Sequence, residues 1–193
     1  MEVDLIERLN ILWRPIYPYL AQWICQWWEK KEGWMLEIGP FSGGISDAMV
    51  NLLEGVRAVC LVPEREVIEG IRNEFNRQID YLEGAMDRLP FREASLDMVL
   101  SRGAFFFLSP EILRETSRVL KAGAVALLGG GYGPHTPEEE IRRIGEESKE
   151  LNYRLGKRWM GRRELEGVVG SARLGCYWVI IEEGGLWLLL RRN

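Results

Sequence analysis

The stretch MLEIGPFSGGIS, residues 35–46, holds the residues best spaced for chemistry. An apolar run carries Glu37, and a turn with Gly39, Gly43 and Gly44 leads toward a helix. Glycine lets a backbone come close to a ligand, and the first N–H groups of a helix are free to receive one. Acid, glycine turn and helix start, in that order, are how an α/β protein builds a nucleotide pocket. Phe41 stands where such a turn keeps a small residue. A ring there either blocks backbone approach or rotates away.

Other reactive groups are sparse. His135, the single histidine, is a general-base candidate or a loop histidine beside a helix start. Tyr132 is placed to orient a substrate or simply to pack. Phe105, Phe106 and Phe107 either enclose a substrate or fill space beneath a cap. Cys25, Cys60 and Cys176 lie far apart with no C-x-x-C spacing, which predicts buried free thiols and no metal site. The run RLGKRWMGRR, 154–163, is either a surface for phosphate or an acidic partner, or a solvated face.

These residues need a scaffold, and the pattern supplies one. Helices are expected over 3–13 and 16–30, broken by Pro15 and Pro18. Strands are expected at 34–38, 57–62, 79–84, 96–101 and 124–130, mostly apolar without alternation. Between them lie helices at 44–54 (stopped by Gly55) and at 64–75, where Val67, Ile68, Ile71 and Phe75 share a face. Ser109 caps a further helix with Pro110 at its first position, running to 121 and ended by Gly123. Alternating strands and helices imply a parallel sheet covered on both faces. After Gly133 come a charged helix with Thr136 as N-cap and Pro137 at N1, a basic then helical segment, and two strands joined by EEGG. In such a sheet ligands bind at the carboxyl ends of the strands, here the loops 39–44, 62–65, 84–91 and 101–108.

The bulk numbers bound the function. With 193 residues, 47% hydrophobic and 28% charged, the chain reads as one domain: a helical cap over 1–33 and a core over 34–193. A net charge of −4 argues against broad nucleic-acid binding. The charged, mixed start and the lack of an apolar run of about 18 residues predict a cytoplasmic protein without membrane contact. Trp13, Trp23, Trp27 and Trp28 precede the first strand and are expected in the core. Were they exposed, they would favour a homodimer or a protein partner.

The ordered motifs resemble the class I S-adenosylmethionine-dependent methyltransferase superfamily, of the type 11 kind. LEIGPFSGG is similar to its first motif, GAMDRLPFREASLDMVLSRGAFFFL to its fourth-strand region, and ILRETSRVLKAGAVALL to the helix and strand that follow. The match covers roughly residues 34–130. It implies a Rossmann-like three-layer sandwich, a mostly parallel seven-stranded sheet ending in an antiparallel hairpin, with N-terminal capping helices. It also implies S-adenosylmethionine as cofactor and a small-molecule substrate. Glu37, Gly39 and Gly43 would surround the methionine portion, with Pro40 and Phe41 in the same loop. Val62, Pro63 and Glu64 would face the ribose, Ala85, Met86 and Asp87 the adenine, and Ser101 the floor. The resemblance names no catalytic residue.

Three positions depart from that pattern. Phe41 replaces the middle glycine, Val62 the ribose-binding acid, and Ala85 the acid of the adenine turn. Glu64 and Asp87 are the nearest substitutes. Two lost polar contacts weaken binding roughly a hundredfold. Two readings therefore stand: a methyltransferase with an altered pocket, or a non-catalytic methyltransferase-like binding or scaffold subunit. A nicotinamide enzyme fits less well, because the spacing is poor for G-x-G-x-x-G and no acid ends the second strand.

Overall fold

The computed structural model describes residues 2–75 and 78–193. Strands β1 (Gly33–Ile38), β2 (Val56–Val62), β3 (Asp80–Glu83), β4 (Leu96–Arg102) and β5 (Leu120–Gly130) run parallel. Strands β6 (Tyr177–Ile181) and β7 (Leu186–Arg191) form the hairpin, with β7 antiparallel to β5. The order is β3-β2-β1-β4-β5-β7-β6. Chain direction across the sheet reverses between β1 and β4, which places a ligand crevice over their carboxyl ends.

Side chains of a strand alternate between faces, and both faces here are apolar. Met35, Met98, Leu100, Val125, Leu127 and Trp187 face α1 (Val3–Leu12), α2 (Tyr17–Ile24), α3 (Gly44–Leu52), α4 (Arg65–Ile71) and α6 (Glu138–Arg154). Leu36, Ile38, Val99, Ala126, Leu128 and Leu188 face α5 (Pro110–Val119) and α7 (Arg162–Ala172). Three layers result, as the resemblance implied. Trp13, Trp23 and Trp28 are buried and Trp27 partly so; Trp23 meets Trp187 edge-on, with ring centroids 5.3 Å apart. The amino-terminal tryptophans are therefore core. Among the described residues, no helix is long and apolar enough to cross a membrane.

Several boundaries differ from the sequence expectation. The second helix stops at Ile24 rather than 30, and the fourth spans Arg65–Ile71 rather than 64–75. Helix α5 ends at Val119 because Leu120 already pairs with Leu96; Gly123, at φ +76°, lies inside β5 instead of ending the helix. Thr136 does not cap α6. Pro137 holds that position, and the Thr136 hydroxyl donates to the carbonyl of Tyr132. Ser109 does cap α5, its Oγ accepting from the Ile112 N–H at 3.3 Å. Ser109→Ala is expected to cost about 1 kcal/mol in urea denaturation, with an unchanged slope.

Candidate functional site

The loop after β1 is held by Glu37. This carboxylate is fully buried, and its Oε2 accepts from the Gly43 N–H (3.0 Å), the Ser46 N–H (2.9 Å) and the Ser46 hydroxyl (2.7 Å). It thereby fastens the turn to the first turn of α3. Burial pushes its pKa up, against those hydrogen bonds and the Arg102 charge. Ser101 Oγ, at the end of β4, donates to the Ile38 carbonyl at 2.9 Å, and Ser42 Oγ to the Gly39 carbonyl at 2.8 Å. Glu37, Gly39 to Gly43 and Ser101 are thus brought together as expected.

Aromatic rings of the same chain cover this loop. Gly39 and Gly43 have φ of +111° and +112°, a region that suits glycine. A Cβ on Gly39 would lie 2.7 Å from Phe107 Cζ, and one on Gly43 would lie 2.6 Å from Phe75 Cδ2. One on Gly103 would lie 2.6 Å from Phe41 Cδ2. The glycines do permit close approach, but what approaches is phenylalanine. Phe41 is 1% exposed and packs against Phe106 with centroids 5.0 Å apart. Of the three consecutive phenylalanines, Phe105 is buried and the other two are partly exposed.

Arg102, which the sequence did not single out, ties this loop to the cap. It is 4% exposed. Its guanidinium donates to Asn10 Oδ1 (2.6 Å) from α1, to Tyr17 Oη (2.9 Å) from α2, and to the Phe41 carbonyl (3.5 Å). It also lies over the Trp13, Tyr17 and Phe41 rings, 4.7 to 5.3 Å from their centroids. Burial pushes Tyr17 up to about 12 despite that cation. Four buried polar atoms around this cluster have no hydrogen-bond partner: Glu37 Oε1, Tyr81 Oη, Arg102 Nε and Asn10 Nδ2.

The remaining expected positions follow the carboxyl ends of β2 and β3, the strands to one side of β1. Val62 ends β2, fully buried and apolar. Pro63 and Glu64 follow, half-buried; one Glu64 oxygen is buried without a partner, and its side chain does not cap α4. Ala85 and Asp87 are exposed, while Met86 packs on the α5–α7 side. His135 is exposed, 3.1 Å from the Gln26 amide. All three cysteines are free, two buried and Cys176 partly so.

A cavity of about 420 Å³ lies beside this site where β5, the β6–β7 turn and α6 meet. Tyr132 lines it, stacked on Trp13 with ring centroids 4.8 Å apart. Lys157, from the basic run, also lines it. Burial and the Arg102 charge lower its pKa to about 8. The unfolded chain therefore holds more protons than the folded one between that value and the ordinary lysine range. Stability from this group rises with pH across that window. In 13Cε-lysine spectra, one resonance is expected to titrate near 8 and to vanish in Lys157→Met.

Comparison with known proteins agrees with this architecture. Residues 36–128 match the family described as methyltransferase domain. The biotin biosynthesis bifunctional protein BioHC of Cellvibrio japonicus is 26% identical over 144 residues, 74% of this chain but 28% of that protein. The chain thus spans less than a third of that relative. A candidate S-adenosyl-L-methionine-dependent methyltransferase of Methanococcus maripaludis superposes with a TM-score of 0.77 at 21% identity, over 99% of this chain and 92% of the other. A candidate methyltransferase solved with the Haloferax volcanii Trm112 activator gives 0.69 at 17% identity, over 100% and 98%. A SAM-dependent methyltransferase of Aquifex aeolicus gives 0.64 at 15%, over 98% and 97%. Identities this low speak to fold alone.

Proposed function

We propose that this chain, which has the methyltransferase fold and matches the methyltransferase domain family over residues 36–128, acts as a methyltransferase-like binding protein of the class I S-adenosylmethionine-dependent superfamily rather than as an enzyme. The observation that carries this is the covering of the glycine loop by the chain's own rings. A cofactor laid along β1 would need the face of Gly39, where the Phe107 ring sits 2.7 Å from a Cβ position. It would need an acceptor for two ribose hydroxyls at the end of β2, where Val62 offers none. Glu37 already spends one oxygen on three donors of its own loop. In this arrangement the residues present do not fit the cofactor.

A second reading, methyl transfer to a small molecule from an altered pocket, is favoured by the four unpartnered polar atoms beside the loop. A polar ligand that displaced the partly exposed Phe106 and Phe107 would reach them. Calorimetric titration of S-adenosylhomocysteine into the natural protein decides between the two. The binding-protein reading expects no saturable heat below about 1 mM ligand. Micromolar binding sinks it in favour of the second reading.

A further inference from the structure

We infer that the cavity between β5, the β6–β7 turn and α6 is a binding site for a small apolar carboxylate, with the Lys157 ammonium as its charge partner. The inference concerns a cavity separate from the glycine loop, and it holds whether or not a cofactor enters that loop.

The walls supply the apolar half of the recognition. Phe105, Tyr132, Trp159, Met160 and Leu186 line a space of about 420 Å³, enough for an acyl chain or an aryl ring. Trp13 closes the back, its indole N–H donating to Ser148 Oγ at 2.8 Å, so the wall is held in place. Asn152 Nδ2 bonds the same Ser148, at 2.6 Å to its carbonyl and 3.3 Å to its Oγ. The polar side chains at the back are therefore already partnered with one another.

Charge supplies the other half. Lys157 is half-buried and lies over the Trp159 ring, 4.7 Å from its centroid. No carboxylate of the described residues pairs with it, although the adjacent Arg158 pairs with Glu164 at 3.3 Å. The charge that lowers its pKa is another cation, Arg102, which lies over the Trp13 ring. Lys149 lines the cavity too but is exposed. A half-buried ammonium without a counter-ion attracts an anion, because solvent screens it only in part. A single carboxylate matches the single half-buried ammonium. Trp159 is 76% exposed, so a ligand seated beneath it would also cover an apolar ring otherwise left in water.

The test uses anilinonaphthalenesulfonate as a fluorescent occupant of the folded protein, displaced by octanoate or by its neutral counterpart octanol. The natural protein is expected to bind the dye, and octanoate to displace it. Lys157→Met should weaken octanoate about tenfold and leave octanol unchanged, the loss of one partly screened ion pair. Gly145→Leu is the second variant. A Cβ at Gly145 meets only the Tyr132 hydroxyl, at 3.9 Å, so a larger side chain enters the cavity without a backbone clash. It should abolish dye binding while thermal melting stays cooperative. Failure of the natural protein to bind the dye overturns the inference. So does octanoate displacement that Lys157→Met leaves unchanged, or dye binding that survives Gly145→Leu.

Discussion

Arg102→Ala is expected to destabilise the protein by about 3–5 kcal/mol, the range seen when one partner of a buried charged network is removed. The guanidinium is where three parts of the chain meet. Asn10 comes from the first helix, Tyr17 from the second and the Phe41 carbonyl from the glycine loop. Truncation strips all three of a donor and leaves the Glu37 carboxylate without a nearby positive charge. Burial then acts on Glu37 with less opposition, and its pKa moves further up. Denaturant titration measures the loss, and trypsin should cut faster at Arg8 and Lys30 as the cap loosens. Arg102→Met is the informative companion. It keeps much of the packing against Trp13, Tyr17 and Phe41 but no donor. If it is as stable as the natural protein, the rings and not the hydrogen bonds hold the cap.

The other large effect is a gain. Phe107→Ala combined with Phe41→Gly and Val62→Asp is expected to create binding of S-adenosylhomocysteine that the proposed function does not expect of the natural protein. Phe107→Ala uncovers Gly39, and Phe41→Gly removes the ring beside Gly103. Val62→Asp supplies the acceptor that two ribose hydroxyls require; a charged hydrogen bond is worth about 1.5–3 kcal/mol. Together these should bring the dissociation constant at least tenfold below about 1 mM. Stability will fall, because removing a buried phenylalanine side chain costs about 3–5 kcal/mol. Ligand should then raise the melting temperature of the variant and leave that of the natural protein alone. A folded variant that binds nothing would mean that the site has lost more than these three positions, and that the rings are not what keeps the cofactor out.

The sheet and most helices were legible because their signals are local. Short runs, mostly apolar, marked the five parallel strands, and Ser109-Pro110 marked the start of its helix. Errors fall where a distant partner overrides the local preference. Leu120 joins β5 because Leu96 lies beside it, not because of any residue near Gly123. In the site, Glu37 and Ser101 could be placed because each follows from its position at a strand end. Phe41 could be flagged but not placed. What covers Gly39 and Gly43 could not be read, since Phe107 and Phe75 arrive from two other loops. Arg102 was hidden for the same reason. Nothing in SRGAFFF says that a cation will be buried, until Asn10, Trp13 and Tyr17 are seen around it.

The position of β7 bears on how the chain can be made. That strand lies between β5 and β6, and its Trp187 is wholly buried against Trp23 of the second helix. The amino-terminal cap thus rests on a residue near the other end of the sequence. During vectorial synthesis the second helix leaves the ribosome soon before α3, on which it packs, but long before Trp187. Trp23 must wait for that partner, and a nascent chain halted before Leu186 would display its ring to chaperones and to other copies of itself.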